Sequence, residues 1–352
     1  VPDKFVCADC FGNQGIKKFI AANAVEFFCS YCGKEVSSSK SPIAVSLEEA
    51  VGLIVRSLKR FYADPQDEGL SWDNEDQRYM GEIIDLEDLF LWEFELELTP
   101  PDLRKEKELY NDITSAITDY EWTPRLFEGL YKSRAYQWGW ERFKKQVKYN
   151  SRYLFADISY KAEPYDDPDV PFPHKMLGHI LEFVIQNKMV KKLNAGTILF
   201  RARVCTKGQV GDSAAEMGTP IAKKAKYSNR MSPAGIPFFY GSLSRDVAKE
   251  EVLMAGKGKS RVNKCLKISS FELLRDIYIV NLTKIPHSCL FAEEIPEDII
   301  NSQIFLRHFV NDISQPIKKD GSENIDYVPT QIVTEYLKYK CLAPNGKRVR
   351  GI

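Results

Sequence analysis

Four cysteines near the start of the chain, Cys7, Cys10, Cys29 and Cys32, form two CxxC pairs separated by eighteen residues. Each pair puts two thiolates on one turn, and two such turns close a tetrahedral S4 site for zinc. Gly12 and Gly33 follow the pairs, as tight turns require. A redox CxxC is the rival reading, but two pairs at this spacing favour a metal. In a module this small, the metal supplies folding energy that the core cannot. A second set of chemistry-bearing residues lies far along the chain. In Leu199-Phe200-Arg201-Ala202-Arg203-Val204 two arginines stand at period two, so on a strand both face one groove. Arginine forks suit phosphate oxygens. Arg230, Tyr240 and Glu251 follow. Taken singly, each has a plain reading: a surface arginine, a core tyrosine, a solvated helix glutamate.

Their joint order and spacing change that judgement. Asn229-Arg230-Met231-Ser232-Pro233-Ala234-Gly235-Ile236-Pro237-Phe238-Phe239-Tyr240 and Ala248-Lys249-Glu250-Glu251-Val252 follow the Arg201 phrase. Together the three phrases resemble the core of a RES domain, a family similar to ADP-ribosyltransferase toxins that breaks down NAD+. The resemblance implies that Arg201, Arg230, Tyr240 and Glu251 bind and cleave NAD+, with Arg203 beside them. Glu250 is a weaker candidate, because adjacent helix positions face apart. The chemistry fits these residue types. Nicotinamide leaves neutral from a cationic start, so no general acid is needed. The ribose becomes an oxocarbenium-like cation that a carboxylate stabilises. Fixed guanidinium groups hold the pyrophosphate. The helix at Pro329-Thr330-Gln331 also recurs in RES proteins of this type. The family's serine follows that helix, whereas here nothing after Ser322 is serine. Thr330 matches poorly, so no catalytic serine is named. The expectation is that the serine's segment lies beyond this chain.

The elements that must position these residues fall into three expected segments. Residues 1–36 form the zinc ribbon, and Ser37–Pro42 is a polar linker. Residues 43–160 form an all-α domain. Ser46 with Glu49 is a capping box, and Val51, Ile54, Val55, Leu58, Phe61 and Tyr62 follow at helical spacing. Pro100-Pro101 opens a second helix carrying Leu109, Ile113 and Ile117, and a third runs through Trp140, Phe143 and Val147. The stretch Trp138–Phe155 resembles the helical domain called HEPN that precedes RES domains. Many HEPN proteins are ribonucleases with an Arg and a His four to six residues apart. None of His174, His179, His287 or His308 has that arginine, so the domain reads as non-catalytic. The cations from Arg142 to Lys148 read as a solvated helix face, with RNA binding the alternative. The acidic, aromatic stretch Asp64–Leu98 reads as an amphipathic surface, with mimicry of nucleic acid or partner docking the alternative. Lys161 to Pro173 reads as a linker.

From residue 174 to 352 an α+β domain is expected. A helix runs through Ile180, Phe183, Val184 and Val190, with strands at Thr197–Val204, Phe238–Tyr240 and Ile277–Val280. Helices cover Arg245–Met254 and Pro329–Tyr339. Lys+Arg and Asp+Glu both number 49, so bulk charge does not draw this protein to nucleic acid. No secretory signal and no membrane-spanning run occurs, and Cys205, Cys265, Cys289 and Cys341 read as reduced thiols of a cytosolic protein. The expected function is therefore an NAD+ glycohydrolase or phosphorylase, acting as a toxin of a toxin–antitoxin or anti-phage defence system. Its partners would be NAD+ and an antitoxin or immunity protein; nucleic acid is not favoured and a membrane is not expected. A protein ADP-ribosyltransferase, or an RNA-directed protein of HEPN type, is the alternative.

Overall fold

The computed structural model describes residues 4–117, 121–125, 131–156, 167–206, 213–255, 264–283, 285, 290–292, 295–317 and 321–352. Cys289, His287 and residues 161–166 of the expected linker lie outside them. The chain forms two compact units, Val1–Gln137 with Pro286–Phe305 and Trp138–Ile285 with Leu306–Ile352. Among the described residues no helix is long and apolar enough to cross a membrane.

In the first unit β1, Phe5–Cys7, pairs antiparallel with β2, Ala44–Ser46, and α1, Gln14–Asn23, lies between them in sequence. The stretch Ser37–Pro42 is thus a loop that brings the chain back to β1. Helix α2, Leu47–Lys59, starts on the expected capping box: the Ser46 hydroxyl accepts from the Glu49 N–H, and the Glu49 side chain accepts from the Ser46 N–H. Its apolar stripe buries Leu47, Ala50, Val51, Leu53, Ile54 and Leu58. Then come β3, Tyr62–Ala63; the hairpin β4, Trp72–Asp73, with β5, Arg78–Tyr79; β6, Ile84–Asp85; and the single turn α3, Leu86–Asp88. Asp102 caps α4, Leu103–Ser115, and β7, Glu121–Pro124, precedes α5, Tyr131–Lys145. Strands β3, β7 and β6 make a three-stranded sheet, so the expected all-α character of 43–160 is corrected to mixed. These strands are two to four residues long, too short to leave a period in the sequence.

Val6, Phe11, Ile16 and Ile20 share one buried core with Ile54, Leu58, Leu109, Ile113 and Trp122. The cysteine segment therefore buries its apolar side chains against α2 and α4. Lys4 adds ion pairs to Glu108 and Asp112, and the Tyr31 hydroxyl donates to Asp112 at 2.7 Å.

In the second unit the end of α5 buries Trp140 and Phe143, whose rings stack 5.3 Å apart. Helix α6, Pro173–Gln186, ends earlier than its apolar pattern suggests. Lys188 adopts φ 52°, which no helix continues through, so Val190 opens a strand instead. That strand is β8, Val190–Leu193; then follow β9, Ile198–Thr206, the single turn α7, Ala214–Met217, α8, Arg245–Ala255, β10, Lys264–Glu272, and β11, Ile277–Val280. Strands β9 and β10 form one antiparallel ribbon, β8 and β11 another. Helices α9, Glu297–Ser314, whose first half belongs to the first unit, α10, Glu323–Asp326, and α11, Val328–Lys340, follow, and α11 packs against α6. Phe238–Tyr240 forms no strand; the chain there pairs only at Ser242, which exchanges two backbone hydrogen bonds with Phe200 of β9. Pro237 lacks the donor a ladder needs.

Candidate functional site

The metal centre is built from two turns. Cys7 and Cys10 flank a 3-10 turn at the end of β1, and Cys29 to Cys32 make the second turn. Gly33 closes it at φ 70°, donating its N–H to the Cys29 carbonyl. Gly12 serves differently: a Cβ there would overlap the Glu97 side chain. The sulfurs of Cys7 and Cys10 lie 3.9 Å apart, those of Cys7 and Cys32 3.5 Å, and those of Cys10 and Cys29 3.6 Å. All four lie within 4.8 Å of one another. A tetrahedron of Zn–S bonds near 2.3 Å has edges of about 3.8 Å, so the four sulfurs fit zinc. The thiols are strongly coupled. Hydrogen bonds from Cys10 and Cys7 hold Cys29 below the usual thiol value, while Cys29, Cys7 and burial push Cys10 up. Four thiols this close cannot all ionise without a cation among them.

The second site belongs to β9, its neighbours and α8. In the β9–β10 register Arg201 stands opposite Ser269 and Arg203 opposite Lys267, so one face of the ribbon carries three cations. Both arginines turn their guanidinium groups onto one acceptor, the Gly218 carbonyl, at 3.0 Å each, and Arg203 also donates to the Glu216 carbonyl at 2.6 Å. Gly218 ends α7, where a Cβ would lie 2.4 Å from the Ala214 oxygen. Only glycine fits that turn, and the turn aims the carbonyl. Burial and the neighbouring Arg203 lower the Arg201 pKa to about 10. Among the described residues neither arginine forms an ion pair with a carboxylate. The Arg201 guanidinium lies 5.2 Å from the Phe239 ring centroid, and Phe239 packs edge-on against Phe271 at 5.0 Å.

The Phe200–Ser242 pairing brings Tyr240 alongside β9. Burial pushes the Tyr240 phenol up, and the charges of Tyr327 and Glu251 add to that; hydrogen bonds from Ser232 and the Met231 N–H oppose it. Helix α8 packs against β9 and β10, buries Ala248 and leaves Glu251 exposed on its surface near Tyr240. Glu250 is exposed as well. Tyr240 and Arg201, and Glu251 and Tyr240, are thus close enough for their charges to act on each other. Arg230 precedes Met231 in the turn beside Tyr240. Its guanidinium donates to the Gln315 carbonyl just past α9, while the backbone next to it, Met231 N–H, reaches the Tyr240 oxygen at 3.3 Å. A turn residue has no period to fix its direction, so sequence reasoning could not aim this side chain.

Sequence reasoning also passed over Ser232 and assigned no role to Gln331. Ser232 is buried with its hydroxyl 3.0 Å from the Tyr240 oxygen, and the Gln331 amide donates to the Asn229 and Ser232 carbonyls. Their only sequence signal was membership of the quoted phrases. Near this turn lies a cavity of about 290 Å³ lined by Trp140, Lys144, Lys148, Asp312, Asp326 and Tyr327. Lys144 pairs with Asp312 and Lys148 with Asp326. Arg142 lies 5.6 Å from the Phe172 ring. Arg142, Lys144 and Lys148 of this run thus each have a partner within the unit.

This region can hold an anion on two guanidinium groups, pack an aromatic ring against the ligand, and offer a carboxylate to a developing cation. A family model described as HEPN/RES N-terminal domain 1 matches residues 22–161, less than half of the chain. That match takes in Cys29 and Cys32 and runs past the end of α5. It supports a HEPN/RES-type domain in this chain. No curated protein and no solved structure matches the chain.

Proposed function

We propose that the second unit is a RES-type enzyme that binds NAD+ and breaks its nicotinamide–ribose bond. One observation carries this reading: Arg201 and Arg203 converge on a single carbonyl, without a carboxylate partner among the described residues, beside Tyr240 and Glu251. Two guanidinium groups held together repel, and a bound pyrophosphate relieves that repulsion through charge-assisted forks. The matched HEPN/RES model supports a toxin-like protein of that type.

In the proposed reaction the bond between the ribose C1′ and the nicotinamide nitrogen breaks, and its electron pair stays on that nitrogen, which becomes neutral. The positive charge moves to the ribose as an oxocarbenium-like centre. Glu251, which no arginine neutralises among the described residues, stabilises that centre. The Tyr240 phenol carries a proton that it can donate to the ligand. Water then adds to C1′ and releases one proton to solvent, giving nicotinamide and ADP-ribose. Phosphate as the acceptor gives a phosphorylated ADP-ribose. An enzyme that drains NAD+ harms its own cell unless restrained, so a partner antitoxin or immunity protein belongs to this reading. Zinc on Cys7, Cys10, Cys29 and Cys32 would have a structural role, since four thiolates close its coordination and leave no open position.

Incubating the purified protein with NAD+, with and without phosphate, and identifying the products tests this. Free nicotinamide is the expected result. ADP-ribose beside it identifies water as acceptor, its phosphorylated form identifies phosphate, and label on a protein identifies the transferase alternative. Intact NAD+ after prolonged incubation contradicts the proposal.

A further inference from the structure

Tyr240 approaches the ligand region from a turn that is itself clamped. The Tyr240 oxygen receives the Met231 N–H at 3.3 Å and lies 3.0 Å from the Ser232 hydroxyl. Ser232 is 2% exposed. The turn around them is closed by two backbone hydrogen bonds between Asn229 and Ser232. The buried Gln331 of α11 then donates its side-chain amide to the carbonyls of both, at 2.8 and 3.3 Å, and the Thr334 hydroxyl lies 3.1 Å from the Met231 sulfur. Gln331 and Thr334 stand three apart on one helix face, so α11 grips the turn at adjacent points.

We propose that Ser232, held in place by Gln331, is a positioning residue that donates its hydroxyl proton to Tyr240 and so turns the Tyr240 O–H outward as a donor to the ligand. This rests on the NAD+ reading of the site. The stereochemistry is simple. A phenol oxygen has two acceptor positions and one proton. With Met231 N–H and the Ser232 hydroxyl both donating to it, its acceptor capacity is filled, and its own proton is left for an acceptor outside the protein. A ribose hydroxyl or a carboxamide oxygen of a dinucleotide is such an acceptor. Had Tyr240 instead donated to Ser232, it would have no proton for the ligand. Gln331 acts one step further back: its two N–H groups hold Asn229 and Ser232 at the spacing that presents both donors to the phenol.

A donor to the phenol oxygen stabilises the phenolate more than the phenol, so removing the Ser232 hydroxyl raises the pKa of Tyr240. NMR titration of protein labelled with ¹³C at the tyrosine Cζ, with the Tyr240 signal assigned through Tyr240→Phe, reads that sign directly. We expect Ser232→Ala to move the Tyr240 titration upward and to lower kcat for nicotinamide release about tenfold, the order expected for one lost hydrogen bond, with a smaller change in KM. Ser232→Thr, which keeps the hydroxyl, restores both. Gln331→Glu, which loses the amide donors, moves both in the same direction as Ser232→Ala. A downward or absent shift in Ser232→Ala overturns the proposal, as does an equal loss in Ser232→Thr. If the unaltered protein releases no nicotinamide, the NAD+ reading fails, and the titration still tests whether the Ser232 hydroxyl donates to the Tyr240 oxygen.

Discussion

Arg201 and Arg203 share one carbonyl, and that arrangement depends on the shape of guanidinium rather than on charge alone. Lysine at 201 keeps the charge but has no planar fork. Arg201→Lys is therefore expected to weaken NAD+ binding about tenfold or more, the cost of a lost charge-assisted hydrogen bond, as measured by calorimetric titration. Unchanged affinity would remove Arg201 from the binding site. The shared face of Arg201 and Arg203 was legible in the sequence because period two aligns residues on a strand. The partners of Arg230 and Ser232 were not legible, because Gln315 and Gln331 lie far along the chain. His179 gives a separate test. Burial holds its imidazole below the ordinary value, and Glu182 opposes this only in part. The folded state prefers neutral histidine, and the unfolded chain takes up a proton near pH 6.5. Stability from this group is therefore complete above that pH and is lost as pH falls through it. The melting temperature should drop between pH 7 and pH 5 by less in His179→Gln than in the unaltered protein.

The helices were legible where capping and period agreed. Ser46 with Glu49 predicted the start of α2, and the two hydrogen bonds of the box are present. Ser46→Ala should cost about 1 kcal/mol of stability, read as a shift in the denaturant midpoint of the first unit. Short strands were not legible. Tyr62–Ala63 and Ile84–Asp85 become strands only because β7 passes between them, a contact more than thirty residues away in sequence. The end of α6 was misjudged for a related reason, since the apolar pattern runs on through Val190 while Lys188 turns left-handed. The turn that carries Ser232 ends at Gly235, which has φ 86° and donates to the Ala225 carbonyl at 2.8 Å. No side chain crowds that position, so the effect of a substitution is purely conformational. Gly235→Ala should destabilise the turn by about 1–2 kcal/mol and lower nicotinamide release with it. A variant as stable and active as the parent would show that the turn relaxes at no cost.

At the scale of the molecule the first unit holds a cysteine cluster fused to a helical core, and the second holds the arginine–tyrosine–glutamate region. The cluster was fully legible, because CxxC spacing encodes its geometry directly. Its burial against α2 and α4 was not, because Val6, Ile16 and Ile20 have no period that names their partners. Zinc should be present at about one atom per chain by elemental analysis. A chelator should unfold the first unit, since the sulfurs repel once ionised without a metal; a first unit that stays folded without metal would contradict the site. The central claim concerns the second unit, and Glu251→Gln tests it most directly. The amide keeps the size of the side chain and removes the charge that faces the ribosyl cation. Nicotinamide release should be measured for both proteins side by side, with NAD+ affinity measured in parallel. The account predicts release by the unaltered protein, a fall of about 10²–10³ in the variant, and affinity that is little changed. Equal release by a folded Glu251→Gln protein would contradict it.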